Sequence, residues 1–415
     1  MTERRRVVVT GVGAMTPLGL TLQATWRGLL LGKSGIGPIT QFDASDLPVR
    51  MAGELRGFDP AHTIGVKEAR RLARCSQVAL ATAEAALNDA ALGLPLAEAH
   101  RVGTLIGSAV GGYERAIEGV DTYREKGLRR VNPFLPVAML ANMPSHHVSY
   151  WSGATGPIST VVAACATGTQ AIGEAAEVIR RGAADVMICG GVDAMVHFTL
   201  MVGFCAMRVL SERNDEPEKA SRPFDADRDG FVLSEGASVF VLEGLDHAKA
   251  RGARIRAEIL GQSSSSDAFH VARPDPEGRG ASRAMAWAMK DAHVAPTDVD
   301  YINAHGSSTP ISDRVETLAI QRVFGRRACG VPISATKSMT GHAMGGAGAI
   351  EAAACVCSME AGMVHRTINL ETSDPQCDLD YVPEGARAVD ARVVLSNSFG
   401  LGGQNACLVL GRYEE

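Results

Sequence analysis

Three side chains able to carry nucleophilic and proton-transfer chemistry stand where the chain turns. Cys165 lies in STVVAACATGTQAIGEAAEVIRR. A β-branched run, Ile158 to Val162, reads as a buried strand before it, and an Ala-rich pattern ending at Arg180, Arg181 and Gly182 reads as a helix after it. Small residues fill the turn between. The first amides of a helix are unpaired and its field favours negative charge, so a thiol placed there could ionise and attack a carbonyl. A small residue merely packed near a helix start would look the same. His305 follows the apolar run Tyr301–Ala304 inside NAHGSSTP. His342 closes ISATKSMTGH, which again reads as strand then loop, carries Lys337, and leads into a Gly- and Ala-rich helix from about Ala343 to Glu360. A cysteine and two histidines at strand ends suit covalent catalysis at the edge of an α/β sheet.

The elements that must position these groups repeat. TGTQAIGEAAEVIRRGAADV after Cys165 and GGAGAIEAAACVCSMEAGMV after His342 share a small-residue loop and an Ala-rich helix with Glu soon after Ile. VVVTGVG from Val7 and VVLSNSFGLGG from Val393 both read as a strand into a glycine turn. A duplicated α/β unit with two helices back to back is one explanation; chance likeness of Ala/Gly-rich helices is the other. The first unit, 1–254, reads as strand Val7–Val9, a helix from about Thr21 to Gly32, a long helix Lys67–Ala91 and strand Val102–Ile106. A cap-like segment Tyr113–Tyr150 and the cysteine turn follow, then strand Val186–Cys189 ended by GGVD, a polar loop Arg222–Gly236 and strand Ala237–Leu242. The second, 255–415, has strands near Ile255–Leu260, Val299–Asn303, Val331–Ala335 and Val393–Ser396, with helices Ser282–Ala292 and Ser312–Phe324.

Length and composition allow one large core or two fused ones, and 46% hydrophobic with 21% charged residues is the balance of a soluble globular protein. No apolar run is long enough for a membrane helix, and the start lacks a signal-peptide pattern. Nine cysteines without framework spacing point to a reducing cytoplasm, with Cys189, Cys205, Cys355 and Cys407 as packed thiols. A net charge of −5 argues against nucleic acid. Lys67, Arg70, Arg71 and Arg74 fall on one face of the predicted helix, either a solvated face or a dock for an acidic partner; Arg129 and Arg130 form a second basic patch. DADRDG lacks the last ligand of a calcium loop, no paired CxxC suggests zinc, and GVGAMTPLG is an incomplete nucleotide fingerprint, read as a turn packed against the cysteine unit.

Five strings in order carry a family resemblance: TVVAACATGTQAIG, SRPFDADRDGFVLSEGA, NAHGSSTP, SATKSMTGHAMGGAGAIE and SNSFGLGG. From Val7 to Leu410 the chain resembles the β-ketoacyl-acyl-carrier-protein synthases of the elongating type II kind, synthase II above all. The resemblance implies a thiolase-like α/β fold, two halves in a five-layer αβαβα stack. It also implies decarboxylative condensation of malonyl-carrier protein with an acyl chain on Cys165. By resemblance His305, His342, Lys337 and Glu351 complete the catalytic set. Cys165 and Leu401 supply oxyanion-hole amides, with Phe399, Gly400 and Asp267 at the gate. Ser307 and Thr309 meet the pantetheine arm, Val110, Phe134 and Phe204 shape the acyl pocket, and Asp313 and Glu316 brace the loops. Lys67, Arg70, Arg71 and Arg208 match positions that meet acyl carrier protein. No metal or bound cofactor is implied, since substrates ride on the carrier's phosphopantetheine.

Two positions depart from the family. Leu401 stands where the gate is usually phenylalanine, and Ser307 where threonine is usual. They suggest a specialised pathway and leave three readings beside the homodimeric synthase. One is the catalytic half of a heterodimer with a chain-length-factor homologue. Another is a non-catalytic carrier-binding or chain-length partner, which the intact Cys165, His305 and His342 disfavour. The third is a cysteine–histidine hydrolase, which needs neither the second histidine nor the lysine.

Overall fold

The computed structural model describes residues 4–414. Among them ten strands form the main sheet: β1 Val7–Met15, β2 Val102–Gly107, β3 Ile158–Ser159, β4 Val186–Ala194, β5 Glu235–Gly244, β6 Ala257–Ser266, β7 Tyr301–Asn303, β8 Ile333–Ser334, β9 Val393–Gly400 and β10 Gln404–Gly411. Their spatial order is β8-β7-β9-β10-β6-β1-β5-β4-β2-β3. Read outward from the centre, 1-5-4-2-3 on one side repeats as 6-10-9-7-8 on the other. The pairing directions repeat too: β2 runs parallel to β3 and β4, as β7 does to β8 and β9. The halves join in the sheet where Val8 faces Glu258 and Val9 faces Ala257.

Six helices complete the duplication: α1 Arg74–Asp89, α2 Met143–Ser152, α3 Thr167–Arg180, α4 Arg279–Asp291, α5 Pro310–Phe324 and α6 Ala347–Ala361. α1 and α2 cover one outer face, α4 and α5 the other, and α3 and α6 lie together between the half-sheets, giving the αβαβα stack. Small residues make that middle layer possible. A Cβ on Gly168 would stand 2.7 Å from the Ala349 nitrogen, and one on Gly348 would stand 2.2 Å from Thr169 Oγ1. Ala171, Ile172, Ala175, Ala349, Ala352 and Ala353 continue the contact as one buried cluster. The two inner helices begin at equivalent places, each after a turn with a left-handed residue, Ala164 at φ 47° and Met344 at φ 47°. Thr167 therefore corresponds to Ala347, and the echo seen in the sequence is out of register, by two residues at Ile172 and Ile350 and by three at Glu174 and Glu351.

Several expected elements differ. Gly11 and Gly13 form no turn: β1 runs through them to Met15, because α1 lies directly on the strand. A Cβ there would meet Ala86 O at 2.3 Å and Thr82 O at 2.2 Å. GGVD likewise does not end β4, which continues to Ala194. Ile158–Val162 is no buried strand. Only Ile158 and Ser159 pair, at the sheet edge, and Ile158 and Val162 are 53% and 55% exposed. The helix Lys67–Ala91 is broken: a short helix Val66–Ala69 and a turn precede α1, whose N-cap Ala73 is extended. Arg74 leaves the basic face altogether and pairs with fully buried Glu235 at 2.6 Å. The polar loop Arg222–Gly236 is largely internal, with Arg222, Asp225 and Arg228 all buried. Cys205 is half-buried rather than packed away.

Candidate active site

The C-terminal ends of the parallel strands converge on one cavity of about 550 Å³. Cys165 reaches it from the turn between β3 and α3, His305 from the loop after β7, and His342 from the loop between β8 and α6. This is where open α/β sheets place ligands, because helix starts and strand ends leave backbone groups free there.

Each imidazole has its tautomer fixed by what its Nδ1 meets. The Met344 N–H donates to His342 Nδ1 at 3.1 Å. Lys337 Nζ has three protons and three acceptors: Glu351 Oε1, the His305 carbonyl at 2.6 Å and His305 Nδ1 at 3.3 Å. With Nδ1 accepting in both rings, Nε2–H is the donor each offers to the cavity. Burial holds both histidines well below the ordinary histidine value, helped by the Lys337 charge, so both stay neutral donors. Their ring centroids are 5.5 Å apart at 79°, and Phe399 and Phe231 flank them at 5.9 Å from His305 and 5.3 Å from His342. Two neutral N–H donors facing one cavity can stabilise a developing oxyanion without giving up a proton.

Burial also pushes the Cys165 thiol up, to about 11, while the Leu401 N–H and the Lys337 charge pull it down. The thiolate expected at a helix start is therefore not the resting form. Cys165 sits two residues before α3 and is 5% exposed, so loss of water outweighs the helix field. Leu401 is half-buried against the apolar cluster that holds Cys165, Phe204 and Met344, with Val110 beside it. A Cβ on Gly400 would stand 3.0 Å from the Cys165 nitrogen, so the 400–403 turn closes directly over the thiol.

The other expected residues divide. Glu316 accepts the N–H groups of His305 and Gly306, both at 2.8 Å, and Asp313 accepts those of Phe224 at 2.9 Å and Ser308 at 3.1 Å. Burial pushes these carboxyls up, to about 7 and about 6; the same donors oppose it at Glu316, and at Asp313 the Arg228 charge opposes it first and the donors after. Glu351 is likewise pushed up to about 7 by burial, against the pull of Lys337. Ser307 and Thr309 line the cavity with their hydroxyls 3.0 Å apart. Asp267 binds the gate turn, its N–H to Gly403 O at 2.8 Å, and its Oδ1 accepts from Asn405 at 2.8 Å. Arg208 stands at the cavity wall, while Lys67, Arg70 and Arg71 are exposed around the short helix. Phe134 lies outside the apolar cluster that holds Cys165 and Phe204 and is 66% exposed at the cap surface. Among the described residues no group of three or more His, Cys, Asp or Glu is arranged to hold a metal ion, and no helix is long and apolar enough to cross a membrane.

Residues 4–248 match the model of the β-ketoacyl synthase N-terminal domain and residues 256–371 that of the C-terminal domain. This chain belongs to the β-ketoacyl synthase family. It is 48% identical over 412 residues to 3-oxoacyl-[acyl-carrier-protein] synthase 2 of Synechocystis sp., covering 99% of each chain. Among solved structures it is similar to the ishigamide ketosynthase/chain length factor, with TM-score 0.93 and 35% identity over 99% of this chain and 100% of that one. It is also similar to AntDE:AntF, a type II polyketide acyl carrier protein in complex with its ketosynthase bound to the hexaketide. There the TM-score is 0.92 with 33% identity, over 99% and 100% of the two chains. The synthase thus has the thiolase-like fold and is a condensing enzyme. Its site contains two contacts the sequence did not single out. Phe231 packs edge-on to His342, and Asn397 donates to Glu316 at 3.2 Å. Both lie inside motif strings, Phe231 in DGFVLSEG and Asn397 in SNSFG, but nothing in their type advertises a site.

Proposed function

We propose that the synthase joins an acyl group held on Cys165 to the two-carbon unit of malonyl-carrier protein. The Cys165 sulfur attacks the acyl-carrier thioester, an S–C bond forms, and the carrier's thiol leaves with the proton. Malonyl-carrier protein then loses carbon dioxide, and the electron pair of the broken C–C bond passes into an enolate. The Nε2–H groups of His305 and His342 donate to the enolate oxygen. The enolate carbon attacks the acyl thioester, a C–C bond forms as the S–C bond to Cys165 breaks, and the leaving thiolate takes up a proton from solvent, giving β-ketoacyl-carrier protein. During acyl transfer the N–H groups of Cys165 and Leu401 receive the thioester oxyanion. Lys337, matched by Glu351, orients His305. The observation that carries this reading is one cavity shared by a buried thiol and two neutral imidazoles with fixed tautomers. Incubation with acyl- and malonyl-carrier proteins tests it: β-ketoacyl product supports it, and hydrolysis of the acyl-carrier thioester without chain extension refutes it.

The partners follow from the same reading. Lys67, Arg70, Arg71 and Arg208 dock the acidic carrier protein, and the compartment is the cytoplasm. The edge strand β3, with Ile158, Val162 and 82%-exposed Tyr150 around it, is covered by a second subunit. That subunit is an identical copy or a chain-length-factor homologue, the second being the kind of partner named with the similar ishigamide ketosynthase. Reversing Lys67 and Arg70 to Glu raises the KM for carrier-bound substrate about tenfold at low salt and flattens its salt dependence. Short pantetheine thioesters stay unaffected. Steady-state kinetics with both substrate types measures this, and equal losses on both would remove the docking role.

Leu401 sets substrate range. An aliphatic side chain clears the thiol by a change of rotamer, whereas a ring needs coordinated movement of its neighbours. Leu401→Phe slows loading of bulky or conjugated acyl chains about tenfold or more relative to short saturated ones. Intact-mass measurement of loading across both series reads it, and a selectivity profile equal to the parent's would make Leu401 a neutral replacement.

A further inference from the structure

The penultimate residue of β4 is a buried carboxyl that the chemistry above leaves unused. Asp193 has no exposed surface and, among the described residues, no ion-pair partner. Its oxygens are held by neutral donors instead. Oδ1 accepts from Ser108 Oγ at 2.6 Å, and Oδ2 from the backbone N–H of Ala109 at 3.0 Å and of Gly345 at 2.7 Å. Buried carboxylates of this kind persist only when each lone pair finds a donor, and those bonds are strong because the acceptor is charged. Burial pushes the Asp193 carboxyl up, to about 6, and the same donors oppose the rise.

The donors come from two segments that both contribute to the apolar cluster around Cys165. One is Ser108–Val110, whose Ala109 and Val110 pack into the apolar cluster around Cys165. Ser108 Oγ also accepts the Gly111 N–H at 2.9 Å, so the carboxyl shapes that whole turn. The other is the turn His342–Gly346. There Met344 is held at φ 47°, a conformation that costs energy for a side-chain-bearing residue, and its N–H is the group that fixes His342 Nδ1. Gly345 lies directly on the carboxyl. A Cβ at that position would stand 2.6 Å from Asp193 Oδ2 and 2.7 Å from the Ala109 nitrogen, so only glycine allows the three groups to meet.

We propose that Asp193 is a positioning residue whose carboxylate ties the turn that aims His342 to the wall of the acyl pocket. Its catalytic consequence rests on the reading that His342 serves decarboxylation. The test is Asp193→Asn, which keeps the size but turns one acceptor into a donor facing an O–H or N–H. Carbon dioxide release from malonyl-carrier protein falls about tenfold or more, the scale of a small misplacement of a donor, while loading of a short acyl group stays near the parent rate. In ¹⁵N spectra of the purified protein, His342, assigned by its loss in His342→Gln, shifts from a single Nε2–H tautomer to a mixture. Ser108→Ala and Gly345→Ala loosen the same tie from its other ends. They show the same direction of change, and they carry the test should Asp193→Asn not fold. Parental carbon dioxide release and a parental His342 spectrum in the folded variants overturn the proposal. Should His342→Gln itself release carbon dioxide at the parent rate, the decarboxylation reading fails. A tautomer shift in Asp193→Asn would still establish the positioning role.

Discussion

Cys165→Ala abolishes covalent acyl loading and lowers the overall condensation rate by a factor on the order of 10³ or more. The thiol lies beneath the Leu401 N–H and inside the cavity that also holds both imidazoles. The substitution removes one sulfur from a tight site, and Cys165 packs within a continuous apolar cluster, so the fold is retained. Intact mass after incubation with acyl-carrier protein reads the loss: the parent gains one acyl group and the variant none. An adduct of parental yield on the variant would move the nucleophile elsewhere.

The second large effect separates the half-reactions. His305→Ala and His342→Ala each cut carbon dioxide release from malonyl-carrier protein by about 10² to 10³, the cost of deleting one preorganised oxyanion donor. Acyl loading falls much less, since the Cys165 and Leu401 amides remain. The pH dependence has a defined sign. Both imidazoles are held well below the ordinary histidine value and the neutral ring is the competent donor. Decarboxylation therefore shows no loss from histidine protonation as pH falls from 8 through about 6.5, where an exposed histidine would already be half charged. A decarboxylation limb with a midpoint near that ordinary value, lost in either histidine variant, would contradict the buried neutral pair.

The chemistry of this chain was more legible than its packing. Cys165, His305, Lys337, His342 and Glu351 each sit in a string whose residue types have few other uses, and the structure brings them together. The duplication was legible as well, but its register was not. Alanine and glycine repeat so often in both inner helices that Ile172 and Ile350 look equivalent, whereas the left-handed turns at Ala164 and Met344 set the true correspondence. Gly11, Gly13, Gly190 and Gly191 read as turns because a sequence cannot distinguish a glycine that bends the chain from one that lets a neighbour approach. Gly191 is of the second kind, 2.3 Å being all that a Cβ would have from Gly345 O. Arg74 looked like surface charge because its partner Glu235 is far away in sequence. Ile158 and Val162 looked buried because their residue types usually demand cover, yet they stand 53% and 55% exposed beside the edge strand. Asp193 was in plain view at the end of an apolar strand, but one acid there gives no sign of the two turns it would join.

The central claim is that one site first loads an acyl group on Cys165 and then extends it with the carbon left by decarboxylation. It is tested most directly by supplying the protein with acyl-carrier protein and ¹³C-labelled malonyl-carrier protein, then following three species together. These are the acyl adduct mapped by peptide mass, labelled carbon dioxide, and the carrier-bound product. The expected result is an adduct confined to the peptide containing Cys165, followed by its decay as carbon dioxide and β-ketoacyl-carrier protein appear in equal amounts. An adduct on another residue, or carbon dioxide released from the loaded protein with no extended product, would contradict the account.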